Sequence, residues 1–149
     1  MSLKDKINED IKKAMLSKDK VSLEALRAIK SALLLAETDK NATEIDPLME
    51  IKILQKLVKQ RVESAEIYKN QNRKDLYETE ILQIQVIEKY LPEKMDDNQL
   101  KEFLINIIKQ ENATSIKDMG KVMAIASKEL SGKADGKRIS DILKQILGN

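Results

Sequence analysis

Glycine is missing from the first 119 residues of this chain, and proline occurs only at positions 47 and 92. These residues punctuate turns and break helices, so a long stretch with so few of them, rich in Lys, Glu, Leu, Ile and Ala, has little to stop a helix once started. Apolar residues recur at i, i+3, i+4 and i+7 in segment after segment. No β-branched alternation is bounded by turn signals as a strand would be. The pattern predicts an all-α fold of about seven helices.

Leu3, Ile7, Ile11, Ala14 and Met15 share one face of a first helix that breaks near Ser17-Lys18-Asp19. A second turns Leu23, Leu26, Ile29 and Leu33 inward and ends before the polar stretch from Thr38 to Thr43. Asp46 is placed to cap a long third helix, with Pro47 at its first position, where a missing N–H costs nothing. That helix carries Ile51, Leu54, Val58, Ala65 and Tyr68. Asn72 is expected to cap a fourth, with Tyr77, Ile81, Ile84, Ile87 and Leu91 inward and Pro92 as its stop. Asp96 and Gln99 form a capping box ahead of Leu100, Phe103, Leu104, Ile107 and Ile108. Ser115 with Asp118 caps a sixth helix (Met119, Val122, Met123, Ala126, Leu130), and Asp135 a seventh (Ile139, Ile142, Leu143, Ile146, Leu147). The joint falls at Pro92 to Asp96, dividing a four-helix part, 1–92, from a three-helix part, 93–149.

What the chain lacks narrows its chemistry. It has no cysteine and no histidine, which removes disulfides, thiolate catalysis, Cys-type zinc sites and the commonest acid-base group near neutral pH. No metal or cofactor is expected. Catalysis would rest on carboxylates, lysines and hydroxyls, and no nucleophile-base pair can be named. Ser64 and Glu63 point about 100° apart on a helix, and Ser131 has no evident base beside it. There is no run of eighteen apolar residues, and the opening MSLKDKINED becomes charged at once, so neither a membrane span nor a secretory signal is read and a cytoplasmic protein is expected.

Charge is unevenly spread. Residues 1–35 carry eight Lys/Arg against five Asp/Glu and residues 115–149 seven against four, while the stretch between is acidic. Basic ends suit an anionic partner. The densest cluster is "SGKADGKR", Ser131 to Arg138. It is not a Walker A loop, because three residues separate its glycines, Ala134 and Arg138 follow its lysines, and no strand precedes it. Gly132 suits a left-handed helix end. Lys137 and Arg138 then fall in the first turn of the last helix, where cations oppose the helix dipole and free N–H groups favour phosphate. Lys121 and Lys128, seven apart, point outward together, and Gly120 beside them lets a partner's backbone approach. Gly120, Lys121, Lys128, Gly132, Lys133, Gly136, Lys137 and Arg138 are therefore the candidate phosphate-contacting residues. The alternative is a tight helical corner with solubilising lysines.

"DMGKVMAIASKELSGKADGKRISDIL" (Asp118 to Leu143) resembles the tail domain of the GatB/YqeY family, in which Gly-Lys-Val-Met is followed by Gly-Lys-Ala-Asp-Gly or Gly-Lys-Ala-Asn-Pro and an amphipathic helix. "LRAIKSALL" (Leu26 to Leu34), "KQRVESAEIYKNQNRKDL" (Lys59 to Leu76) and "YLPEKM" (Tyr90 to Met95) are similar to that family in order and spacing. Two departures stand out. Asn72 replaces a frequent loop glycine and is compatible with a left-handed or a capping role, and Ala126 to Leu130 replaces a frequent proline-containing turn, which implies a more continuous sixth helix. The resemblance implies a helical tail that holds tRNA while chemistry takes place elsewhere. One phenylalanine, three tyrosines and no tryptophan suit phosphate gripping better than base stacking, and Tyr68, Tyr77 and Tyr90 are expected in the core. Two other functions are weighed: docking on an aminoacyl-tRNA synthetase or amidotransferase through the wide apolar band of the second helix, and a glutamine-dependent carbon-nitrogen ligase by association. Burial is the expected fate of that band.

Overall fold

The structure, a computed structural model, describes residues 1–39 and 45–148. The stretch 40–44, including Thr43 of the expected polar connection, lies outside the described residues. Seven α-helices are present among them: α1 (Leu3–Ser17), α2 (Lys20–Glu37), α3 (Pro47–Asn70), α4 (Lys74–Glu88), α5 (Asp97–Gln110), α6 (Met119–Glu129) and α7 (Gly136–Leu147). A 3-10 turn (Ile116–Asp118) leads into α6. The described residues contain no strand, so the fold is all-α. No described helix is long and apolar enough to cross a membrane. The chain divides into two compact units, Met1–Leu91 and Pro92–Asn149.

In the first unit, Ile7, Ala14, Ala25, Leu26, Ile29, Leu33, Leu54 and Ile87 form the buried core. Ser2 caps α1, which ends at Lys18 in a left-handed conformation (φ 58°). Asp19 restarts the chain by accepting the Ser22 N–H at 3.1 Å. Lys4 Nζ, 3.2 Å from a Glu37 carboxylate oxygen, ties the start of α1 to the end of α2. Asp46 accepts the Met49 N–H at 2.8 Å with Pro47 at the first position of α3, as the spacing requires.

Three local expectations change. Of its two expected roles, Asn72 does not cap α4 but takes the left-handed turn between α3 and α4 (φ 56°), and Arg73 begins α4 without a side-chain cap bond. A short amide side chain tolerates that conformation, so the residue serves the bend instead of the helix start. Met15, expected inward, is exposed, because Ala14 alone fills that turn of the α1 stripe. Helix α4 ends at Glu88, before Leu91. Tyr90 and Leu91 close the end with N–H bonds to the carbonyls of Ile87 and Glu88, each 3.1 Å, and the Tyr90 hydroxyl donates to Asp10 of α1. Tyr68, Tyr77 and Tyr90 are all half-buried, neither core nor surface.

Among the described residues of this unit, one polar side chain is buried. Gln83 on α4 accepts from Arg61 Nε at 2.9 Å and donates to Glu24 at 3.0 Å, linking α2, α3 and α4. Arg61 also donates to the Leu57 carbonyl at 3.0 Å. A buried amide satisfied on both sides fixes helix register at little cost, whereas an unsatisfied one would be expensive.

The second unit has its own core of Leu100, Leu104, Ile107, Val122, Ala126, Leu130, Ile139, Leu143 and Leu147. The three from α7 lie at i, i+4 and i+8, while Lys137, Asp141 and Lys144 face water. Burying each such side chain is worth about 1.5–3 kcal/mol. Leu143 has no exposed surface, so truncating it to alanine would cost about 2–5 kcal/mol. The Asp96–Gln99 capping box forms in both directions (2.8 and 3.1 Å). Asp118 accepts the N–H groups of Thr114 and Ser115, and these two bonds, helped by the Lys121 charge, hold its carboxyl below the usual carboxylate range.

Candidate nucleic-acid interface

The site residues singled out in the sequence all fall on α6, α7 and the turn between them. Helix α6 runs unbroken from Met119 to Glu129, as the Ala126 to Leu130 replacement implied. The Leu130 carbonyl then accepts the N–H groups of Lys133 and Ala134 at 2.9 and 3.1 Å, a reversal that requires Gly132 at φ 80°. Glycine takes that angle without a Cβ penalty. It lies two residues past the helix cap Leu130, one position later than the usual left-handed end. Asp135 accepts the Arg138 N–H at 2.8 Å and starts α7, with Gly136, Lys137 and Arg138 as its first turn.

The five cations of this corner behave in two ways. Lys128, Lys133 and Lys137 are exposed and have no ion-pair partner among the described residues. Lys121 Nζ lies 3.1 Å from a Glu111 carboxylate oxygen at the end of α5. Arg138 folds back so that Nη2 reaches Asp97 Oδ1 at 2.8 Å and the Met95 carbonyl at 2.9 Å. The sequence reading left the Lys137 and Arg138 charges facing the helix dipole unless an anion is bound. The fold supplies an internal anion for Arg138 in Asp97, and leaves Lys137 alone. Exposed pairs like that of Lys121 are worth about 0–1 kcal/mol, so exchanging Glu111 for a phosphate costs little. Arg138, also bonded to a carbonyl, is the more firmly held.

Two glycines sit in this surface without an intramolecular reason. Gly120, second in α6, and Gly136, first in α7, are exposed, and a Cβ built on either meets nothing within 4 Å. Neither has a positive φ. In a helix, glycine costs up to about 1 kcal/mol relative to alanine. A close approach from outside the chain would account for them.

Sequence reasoning missed the partners Met95, Asp97 and Glu111. Asp97 and Arg138 are 41 positions apart, and no local pattern joins them. It also treated Phe103 as plain core. Phe103 packs on the core but is only half-buried, and its outer part lines a cleft. Among the described residues no three acidic side chains gather to hold a metal ion.

The family model for "Yqey-like protein" matches residues 4–147. The chain is 33% identical over 114 residues to "Altered inheritance of mitochondria protein 41, mitochondrial" of Clavispora lusitaniae, covering 75% of this chain and 66% of that one. For the protein of the same name from Vanderwaltozyma polyspora the identity is 29% over 120 residues, 76% of this chain and 64% of the relative. The chain therefore spans slightly less than two thirds of the length of these two. A Pyrenophora tritici-repentis protein, also of that name, is 26% identical over 148 residues, with 96% and 80% covered. The relatives are named as mitochondrial, which overturns the cytoplasmic expectation. That expectation rested on the charged opening MSLKDKINED and on the lack of an eighteen-residue apolar run, neither of which carries information about an organelle. The match over residues 4–147, with the ordered motifs seated on one all-α frame, places this chain in the Yqey-like protein family.

Proposed function

We propose that this chain is a non-catalytic tRNA-binding module whose second unit grips the phosphate backbone through Lys128, Lys133 and Lys137, with Lys121 joining when it leaves Glu111. The observation that carries the reading is the set of three exposed lysines, without ion-pair partners among the described residues, on α6, the turn and α7. Gly120 and Gly136 support it, as places where a backbone can come close. Such binding is electrostatic and responds to RNA shape. The relatives' names make a mitochondrial tRNA pool the first to test. With three or four phosphates neutralised, log affinity for tRNA falls against log salt with a slope of about −2 to −4. Filter retention of tRNA by the full chain measures this, and Lys133→Ala with Lys137→Ala flattens the slope by about 1.5–2. An affinity indifferent to salt ends the reading.

A second reading is docking on an aminoacyl-tRNA synthetase or amidotransferase through α2. It draws on Leu34 and Leu35, 40% and 74% exposed side by side near the end of that helix, while Leu26 and Leu33 of the same band are buried. Pull-down from ribonuclease-treated lysate separates the two: a synthetase or amidotransferase retained by the full chain and lost with Leu35→Glu favours docking.

A further inference from the structure

The outer stripe of α5, Gln99, Glu102, Phe103 and Asn106, faces a cleft of about 430 Å³ whose opposite wall is the segment Glu93 to Met95 together with Lys133. Small-ligand sites run from about 300 to 1,000 Å³. The far wall is held in place. The Met95 N–H donates to the Lys133 carbonyl at 2.9 Å, and the Met95 carbonyl accepts from Arg138 at 2.9 Å. The backbone at Met95 is thus fixed against the α6–α7 corner.

Its lining divides by chemistry. On the α5 side stands the chain's one phenylalanine, backed by the core and half-open to the cleft. Around it are an amide at Asn106, a carboxylate at Glu102, and the NH₂ of Gln99, whose Oε1 already accepts the Asp96 N–H. The opposite wall carries the ammonium groups of Lys94 and Lys133, with Glu93 beside them. The side chains of Glu93, Lys94, Glu102, Asn106 and Lys133 make no hydrogen bond or ion pair among the described residues. A cleft with a stable floor and uncommitted donors and acceptors is arranged for something from outside.

We infer that this cleft receives one unpaired nucleotide of a bound RNA. The base lies against Phe103, its edge meets Glu102, Asn106 and Gln99, and its phosphate lies toward Lys133 and Lys94. Unstacked bases are read by aromatic faces and by polar groups on their edges. Phe103 with the polar groups around it on α5, and the Lys94 and Lys133 ammonium groups across from it, match a base and a phosphate held apart by a ribose. The inference rests on the RNA reading above and adds a contact with a base to a surface otherwise described by phosphates alone.

The test uses the full chain and side-chain amide NMR. Guanosine 5′-monophosphate is expected to shift the Asn106 and Gln99 amide signals saturably, ribose 5-phosphate is not, and Phe103→Leu weakens the response about 5-fold or more. Asn106→Ala, at an exposed position, gives a second variant that leaves the core untouched. No shift with the nucleotide, equal shifts with ribose 5-phosphate, or shifts with free glutamate in its place overturn the proposal. A matching pair of RNA hairpins, blunt and with a single-stranded extension, separates it from the reading it rests on. The extension should tighten binding about 5-fold or more in the wild type and not in either variant. Salt-dependent binding without that gain overturns the nucleotide site and keeps the phosphate grip. Absence of any hairpin or tRNA binding overturns the phosphate grip, and the mononucleotide titration then decides the cleft alone.

Discussion

Arg138 Nη2 lies 2.8 Å from Asp97 Oδ1 and 2.9 Å from the Met95 carbonyl, so the third residue of α7 holds the entry to α5. With the Met95 N–H on the Lys133 carbonyl, both polar backbone groups of Met95 are tied to the α6–α7 corner. Asp97 is mostly exposed, which limits the ion-pair share to about 0–1 kcal/mol. The bond to the carbonyl, from a charged donor, adds to it. Arg138→Ala is therefore expected to lower stability in urea unfolding by about 1–2 kcal/mol while leaving the salt slope of tRNA binding unchanged. If it flattened that slope as Lys133→Ala with Lys137→Ala does, Arg138 would be meeting phosphate and the strut would be secondary.

Gly120→Ala and Gly136→Ala should separate stability from binding. Neither glycine has a positive φ or a neighbour within 4 Å of an added Cβ, so each alanine should stabilise the fold by about 0.4–1 kcal/mol through the unfolded chain. If RNA packs against these backbones, the same methyl groups weaken tRNA retention. Thermal unfolding and filter binding on the same proteins check the pair. A rise in both stability and affinity would show that the glycines are not contact points.

The fold was legible because its cues are local. Helical spacing marked the inward stripes, with Met15 and Leu91 as the exceptions, and Asp46, Asp96 and Asp135 each accept the N–H three residues on, as their positions foretold. The candidate site was legible only in part. A positive φ at Gly132 follows from the turn. The fate of Arg138 and Lys121 depends on carboxylates brought in from α5, and tertiary partners of that kind leave no periodic trace. Phe103 shows the same limit. Its place in the stripe is visible in sequence, but the segment across from it is held by a backbone bond to Lys133 and by the Arg138 guanidinium.

Gln83 gives a prediction confined to the first unit. Its amide stands between Arg61 and Glu24, so Gln83→Leu keeps the volume and removes both bonds, leaving a half-buried guanidinium without one of its acceptors. A cost of about 2–3 kcal/mol is expected. Chemical denaturation measures it, and tRNA affinity of the folded variant should be unaltered. A neutral result would mean that water replaces the amide and that the relay does not fix helix register.

Tyr90 and Asp10 tie the end of α4 to α1, and their bond makes a prediction about alkaline pH. Burial raises the Tyr90 hydroxyl above its ordinary value, and the bond to Asp10 and that carboxylate's charge push it further in the same direction. The group is neutral in the folded state where the unfolded chain, with an ordinary value of about 10, begins to ionise. Its contribution is then fully present below about pH 10 and is lost as pH climbs beyond that, because only the unfolded chain gives up the proton. Tyr90→Phe keeps the ring and deletes the bond. It should cost about 1–2 kcal/mol at neutral pH. The gap between the two proteins should narrow above about pH 10, since lysines titrate in both and cancel in the difference. Paired urea unfolding at about pH 8 and about pH 10.5 reads the change. A gap that stays constant across that range would mean that the hydroxyl ionises alike in both states, and that the contact with Asp10 adds nothing to holding α4 against α1.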